Sequence, residues 1–154
     1  MDVAIRRAAG TTDARAAADL WPRARAAAGD AIPPPAHSDD EVREWFSGHV
    51  LAQLDLVLAE RSGDELAALL VLGDGWVEQL YVEPGLTGQG IGSALITFAK
   101  REQPAGLRLW TFASNAGAQR FHERHGFVAE RRTDGRDNEE RAPDILYAWR
   151  GTAA

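Results

Sequence analysis

Apolar and polar positions along this chain repeat with two different spacings. Alternating or continuous apolar runs predict strands over Val3–Ala8, Asp55–Arg61, Glu65–Leu72, Trp76–Val82, Leu107–Phe112, Phe127–Thr133 and Ile145–Arg150. Helical patterning falls over Ala14–Ala28, Ser93–Glu102 and Asn115–His125. Thr12 or Asp13 is placed to cap the first of these, and Pro22 inside it predicts a kink or a split. Ser38-Asp39-Asp40-Glu41 reads as a capping box. The helix it starts sets Val42, Trp45, Phe46 and His49 on one side, which makes His49 a structural histidine. Ser62-Gly63-Asp64 and Gly73-Asp74-Gly75 mark hairpin turns, so the three strands from Asp55 to Val82 form an antiparallel meander. Gly126 ends the Asn115–His125 helix, with His125 favouring its C-terminus. The order β-α-α-β-β-β-α-β-α-β-β contains a strand-helix-strand crossover, so the class is mixed α/β or α+β.

Composition narrows the chemistry. The 154 residues are read as one domain over 1–154, with an ordinary share of apolar residues (45%). The absence of cysteine excludes disulfide scaffolds, thiol nucleophiles and thiolate metal sites. A net charge of −6 suits a cationic small molecule better than nucleic acid. No apolar run approaches a membrane span, and the N-terminus is a short alternating segment rather than a signal peptide, which makes the cytoplasm the expected location. Histidines and carboxylates show no metal-ligand spacing.

The strongest local signal is the segment from Leu80 to Leu95, where a strand runs into glycines at 88, 90 and 92 and then opens a helix. Such glycines let consecutive backbone N–H groups converge, and the helix N-terminus adds its free donors and dipole, which suits a phosphate or pyrophosphate. The other reading is a helix start that needs a flexible backbone. A dinucleotide site fits less well, because three antiparallel strands precede the loop. A Walker loop needs a lysine, and the only lysine is Lys100.

These residues resemble the acetyl-CoA binding motif of the GNAT superfamily of N-acetyltransferases, Gln/Arg-x-x-Gly-x-Gly/Ala. Here it reads Thr87-Gly88-Gln89-Gly90-Ile91-Gly92, with Thr87 in place of Gln or Arg. A second family pattern, Asn-x-x-Ala-x-x-Phe-Tyr followed by Gly-Phe, is matched by Asn115, Ala118, Phe121 and His122, then Gly126-Phe127, with His122 in place of the tyrosine. The resemblance covers nearly the whole chain. It implies a central mixed, twisted sheet of six to seven strands, helices on both faces and a splay between the two parallel strands Trp76–Val82 and Leu107–Phe112. It further implies that the backbone of Leu80, Tyr81 and Val82 pairs with the pantetheine amides. The amides of Gly88, Gln89, Gly90, Ile91, Gly92 and Ser93 would hold the pyrophosphate, and Thr87 would flank it. Asn115 would reach the pantetheine arm, or cap the next helix; Ala118 and Phe121 would line the channel, or pack the core.

The implied reaction is direct attack of a primary amine on acetyl-CoA with both substrates bound. An N–H near Val82 would meet the oxyanion. His122 would be the acid for the departing thiolate, or pack beside the sulfur. Reference pKa values make proton transfer from an imidazolium (~6.5) to a thiolate (~8.5) downhill, although only about a quarter of an unperturbed histidine is charged at pH 7. Glu78 is the candidate base, or an exposed strand carboxylate. His37, Asp39, Asp40 and Glu41 border the expected acceptor site, where acidic residues attract a cationic amine, and Trp45 or Trp76 could wall it. The stretch Asp134–Arg141 reads as a solvated hairpin loop that could fold over the acceptor or over a partner subunit. Homodimers are common among proteins of this kind. The rival reading is a non-catalytic acyl-CoA-binding module, kept open by Thr87 and His122.

Overall fold

The computed structural model describes residues 3–152. Its seven strands form one sheet in the order β1-β2-β3-β4-β5-β7-β6. The strands are β1 Ala4–Arg7, β2 Asp55–Arg61, β3 Glu65–Gly73, β4 Trp76–Val82, β5 Leu107–Phe112, β6 Val128–Thr133 and β7 Asp144–Trp149. The helices are α1 Thr11–Ala27, α2 Asp39–Trp45, α3 Leu51–Gln53, α4 Ile91–Glu102 and α5 Ala116–Arg124. All neighbours pair antiparallel except β4 and β5, so the sheet is mixed, as the class expectation requires.

The continuous run Ala67–Leu72 makes β3 a strand buried on both faces. Leu70 and Leu72 pack with Leu95, Ile96 and Ala99 of α4, while Leu69 and Val71 pack with Ala17, Leu20 and Phe46. Alanines at 14, 17 and 18 are fully buried, which lets α1 lie close on the sheet.

Three local expectations are corrected. Pro22 does not split α1, which is helical across it. Neither Thr12 nor Asp13 caps α1. Gly10 is the N-cap, and the Asp13 carboxylate instead receives Arg6 at 2.8 and 2.9 Å and the Ala9 N–H at 2.8 Å. His49 is exposed and stacks on Trp45 at 6.2 Å. A π-helical turn over Phe46–Val50 widens the helix, so burial runs through Val42, Phe46 and Val50 and rotates His49 outward. The Ser38–Glu41 capping box forms as expected.

Candidate active site

The two central strands meet at one place. Trp76 is registered opposite Arg108, and the Arg108 N–H donates to the Gly75 carbonyl at 2.9 Å. Beyond that bridge no further pair joins β4 to β5, so the strands part and leave the β5-facing edge of β4 unpaired. On its other edge β4 stays registered with β3 through Leu80, Tyr81 and Val82. A bulge interrupts that ladder: Val71 faces Gln79 and Leu72 faces Val77, which leaves Glu78 as the extra residue.

A cleft of ≈590 Å³ lies where the strands part. Its wall brings together Leu80, Tyr81, Val82, Thr87, Gly88, Gly90, Ile91, Gly92 and Ser93 from the β4–α4 segment, and Asn115, Ala118, Phe121 and His122 from α5 and its cap. Gln89 alone among the loop positions is absent from the wall; its side chain is exposed. Gly90 is the N-cap of α4 in the left-handed region (φ 85°), and no side chain caps this terminus. Its donors therefore face the cleft, an anion-binding arrangement. Gly92 serves a different need: a Cβ there would lie 3.3 Å from the Phe121 ring. Asn115 caps α5 by accepting the Ala118 N–H at 3.1 Å through its side-chain oxygen, which leaves its NH₂ free for a ligand. Ser93 Oγ lies 2.9 Å from His125 Nε2. Burial and the cations Lys100 and Arg124 lower the His125 pKa, which disfavours its charged form. Lys100 places a cation at this helix terminus, donating to the His125 carbonyl.

Between β4 and β5 the cleft narrows into a slit of ≈120 Å³. Glu78, Thr111 and His122 all line it. Glu78 is exposed, and its carboxylate lies over Gly73, where a Cβ would sit 2.8 Å from Oε1. His122 is buried in an aromatic cage of Phe121, Phe127 and Tyr147, with centroids 5.5–5.9 Å away. Desolvation, helped by His125, pushes its pKa down to about 4. The imidazole is therefore neutral near pH 7, and the downhill transfer expected from an imidazolium is not available to it.

Past the slit a cavity of ≈620 Å³ opens on the α1–α2 side. Trp21 and Trp45 wall it, and Glu41, Glu44, Glu139 and Glu140 contribute four carboxylates against the one guanidinium of Arg25. Trp21 Nε1–H donates to Gln79 Oε1 at 3.0 Å. Arg25 is buried, lies 4.4 Å over the Trp21 ring and donates to Tyr81 Oη at 3.2 Å. His37 bridges Glu41 (3.4 Å) and Glu139 (3.0 Å), which raise its pKa. The stretch after β6 thus folds back over this cavity. Asp39, Asp40 and Trp76 do not reach it; Trp76 lies at the far end of β4, beside Arg108 and Gly106. Thr111 and Trp21 escaped the sequence reading, because only long-range packing brings them here, while Glu139 and Glu140 belong to the loop expected to be able to fold over the acceptor. Arg124 on α5 also reaches the same ≈590 Å³ cleft, at i+3 from Phe121, a spacing that could have flagged it.

The family profile of the acetyltransferase (GNAT) domain matches residues 52–129, just over half of the chain. The chain belongs to the GNAT acetyltransferase family. That membership makes it an acyltransferase and favours the enzyme over the binding-module rival. The same architecture recurs in solved structures. The apo form of YjaB from Escherichia coli is 22% identical, with a TM-score of 0.77 over 99% of this chain and 100% of that one. A ribosomal-protein alanine N-acetyltransferase from Escherichia coli is 23% identical (TM-score 0.75; 99% and 97% covered). PaiA N-acetyltransferase from Thermoplasma acidophilum, solved with coenzyme A, is 17% identical (TM-score 0.74; 97% and 99% covered). At these identities the likeness is one of fold. No protein of curated function matches the chain. Among the described residues, no helix is long and apolar enough to cross a membrane.

Proposed function

We propose that this GNAT member transfers an acetyl group from acetyl-CoA to a cationic primary amine by direct attack while both are bound. One observation carries the reading: an anion-binding cleft and a carboxylate-lined aromatic cavity meet at a single slit. The residues present fit acetyl-CoA. An uncapped helix N-terminus and Arg124 suit its diphosphate, the unpaired edge of β4 suits its amides, and two buried side-chain atoms in the slit, Thr111 Oγ1 and His122 Nδ1, lack hydrogen-bond partners.

Each residue then has a task. Backbone N–H groups of Gly88–Ser93 grip the diphosphate, and β4 from Leu80 to Val82 aligns the pantetheine as an added strand. Trp21, Trp45 and the four carboxylates draw in the amine and hold it by charge and aromatic faces. Glu78, on the bulge at the slit, accepts the ammonium proton through water. A main-chain N–H near Val82 supports the carbonyl oxygen as charge develops there. His122, neutral, donates a hydrogen bond to the departing sulfur. The site is expected to work in the cytoplasm.

The test is thiol release by the purified protein with acetyl-CoA and a panel of primary amines. Turnover with at least one cationic amine is expected. Thiol release with none of them, despite acetyl-CoA binding, would return the binding-module reading.

Glu44 gives a narrower check. It lines the acceptor cavity and makes no ion pair or side-chain hydrogen bond among the described residues. Glu44→Gln should raise KM for a cationic amine about threefold to tenfold, the effect of one partly screened charge, and leave KM for acetyl-CoA unchanged. Equal shifts in both constants would remove Glu44 from acceptor binding.

A further inference from the structure

Among the described residues only three buried side-chain polar atoms lack a hydrogen-bond partner: Arg25 Nε, Thr111 Oγ1 and His122 Nδ1. Arg25 still uses its other nitrogens, on Tyr81, Pro33 and Glu140. Thr111 has nothing else to offer: its one hydroxyl is left bare in a residue only 5% exposed. His122 is 8% exposed, and both residues line the slit between β4 and β5.

Alternation along β5 places Thr111 on the face of Leu107 and Leu109, which pack into the core with Tyr147. Tyr147 stands directly opposite Leu109 on β7 and touches the His122 ring, so Thr111 and His122 share that face. Valine has the shape of threonine and would fill this position without leaving a polar group unpaired. An unsatisfied buried hydroxyl in the slit that borders the anion-binding cleft therefore indicates a partner that arrives with a ligand.

We propose that Thr111 is a catalytic residue whose hydroxyl donates a hydrogen bond to the acyl-CoA thioester, beside the imidazole of His122. The inference rests on the acetyl-transfer reading above. The thioester head offers acceptors only, a carbonyl oxygen and a sulfur. The ammonium first gives one proton through water to Glu78. The freed amine nitrogen then bonds to the carbonyl carbon, the C–S bond breaks with its electron pair going to sulfur, and the second nitrogen proton passes to the departing thiolate. Negative charge grows on oxygen and then on sulfur. The Thr111 donor strengthens as that charge grows and keeps its own proton throughout.

Thr111→Val, Thr111→Ser and Thr111→Ala separate this from a packing role. Thr111→Val is expected to lower kcat on the order of tenfold to a hundredfold, with KM for the amine unchanged. Thr111→Ser should restore most of the rate. The ligand-free valine variant should melt about 2–4 °C higher, because the bare hydroxyl is gone. By calorimetry it should lose its preference for acetyl-CoA over CoA while still binding CoA. Wild-type turnover from the valine variant, or a serine variant as slow as valine, overturns the proposal. If the valine variant does not fold, the alanine and serine variants decide on the same rate criterion. If the wild type releases thiol with no amine, acetyl transfer fails separately. The calorimetric comparison then decides Thr111, and an unchanged preference for acetyl-CoA overturns it.

Discussion

Gly90→Asp is expected to weaken acetyl-CoA binding at least about a hundredfold while leaving the fold intact. Gly90 caps α4 with φ 85°, and a Cβ there meets nothing within 4 Å. Aspartate tolerates the left-handed region better than most residues and finds open space here, so the strain stays local to the loop and α4 should persist. What changes is the charge facing the cleft. Two unit charges ~4 Å apart near a protein surface repel by about 4 kcal/mol, and partial screening still leaves a hundredfold effect. At a concentration one hundred times Kd, acetyl-CoA should stabilise the wild type by about 2.7 kcal/mol, which raises its melting temperature by about 5–10 °C. The variant should show almost none of that rise. Calorimetric affinity for Gly90→Asp within about threefold of wild type would mean that the diphosphate is not held at this helix terminus.

What could be seen in the residues beforehand divides along a physical line. Features carried by neighbours in sequence were readable. The Ser38–Glu41 box, the Asp74-Gly75 turn, the Asn115 cap and the left-handed Gly126 each depend on a few adjacent residues and stand as expected. Features decided across the fold were not. Arg6 takes Asp13 away from capping because β1 passes beside the start of α1. One π turn is enough to carry His49 from the apolar side to the surface. The bulge at Glu78 leaves no signature in an otherwise regular strand. The site follows the same division. One half, the cleft wall, is built on local motifs, and the predicted positions line it with the exception of Gln89. The other half, the carboxylate-lined cavity, gathers Trp21, Trp45, Gln79, Glu139 and Glu140 from four separate parts of the chain; His37, Glu41, Trp45 and the loop that holds Glu139 and Glu140 are legible in the sequence, whereas Trp21 and Gln79 are not.

The charge of His122 is the sharpest instance, and it carries the second large prediction. Residue type alone suggests an imidazolium acid, but its aromatic cage denies it water and lowers its pKa to about 4. The unfolded chain holds the same side chain near ~6.5. The native state therefore binds this proton less readily than the unfolded state. Its contribution to stability is complete above pH ~6.5, falls as pH drops from there to about 4, and changes no further below. At 1.36 kcal/mol per unit, that interval corresponds to roughly 3 kcal/mol. His122→Phe keeps an aromatic ring in the cage and has no proton to take up. Denaturant melts at pH 7 and pH 4 should thus show the wild type losing roughly 3 kcal/mol more than the variant. Turnover should move the other way. Loss of the donor beside the sulfur should lower kcat about tenfold to a hundredfold, at or below the lower end for a positioned proton-transfer group, since a neutral imidazole here gives a hydrogen bond. A wild-type kcat profile with a limb near pH 6.5 that vanishes in His122→Phe would show that the histidine works charged after all. Equal rates across pH would leave it as packing alone.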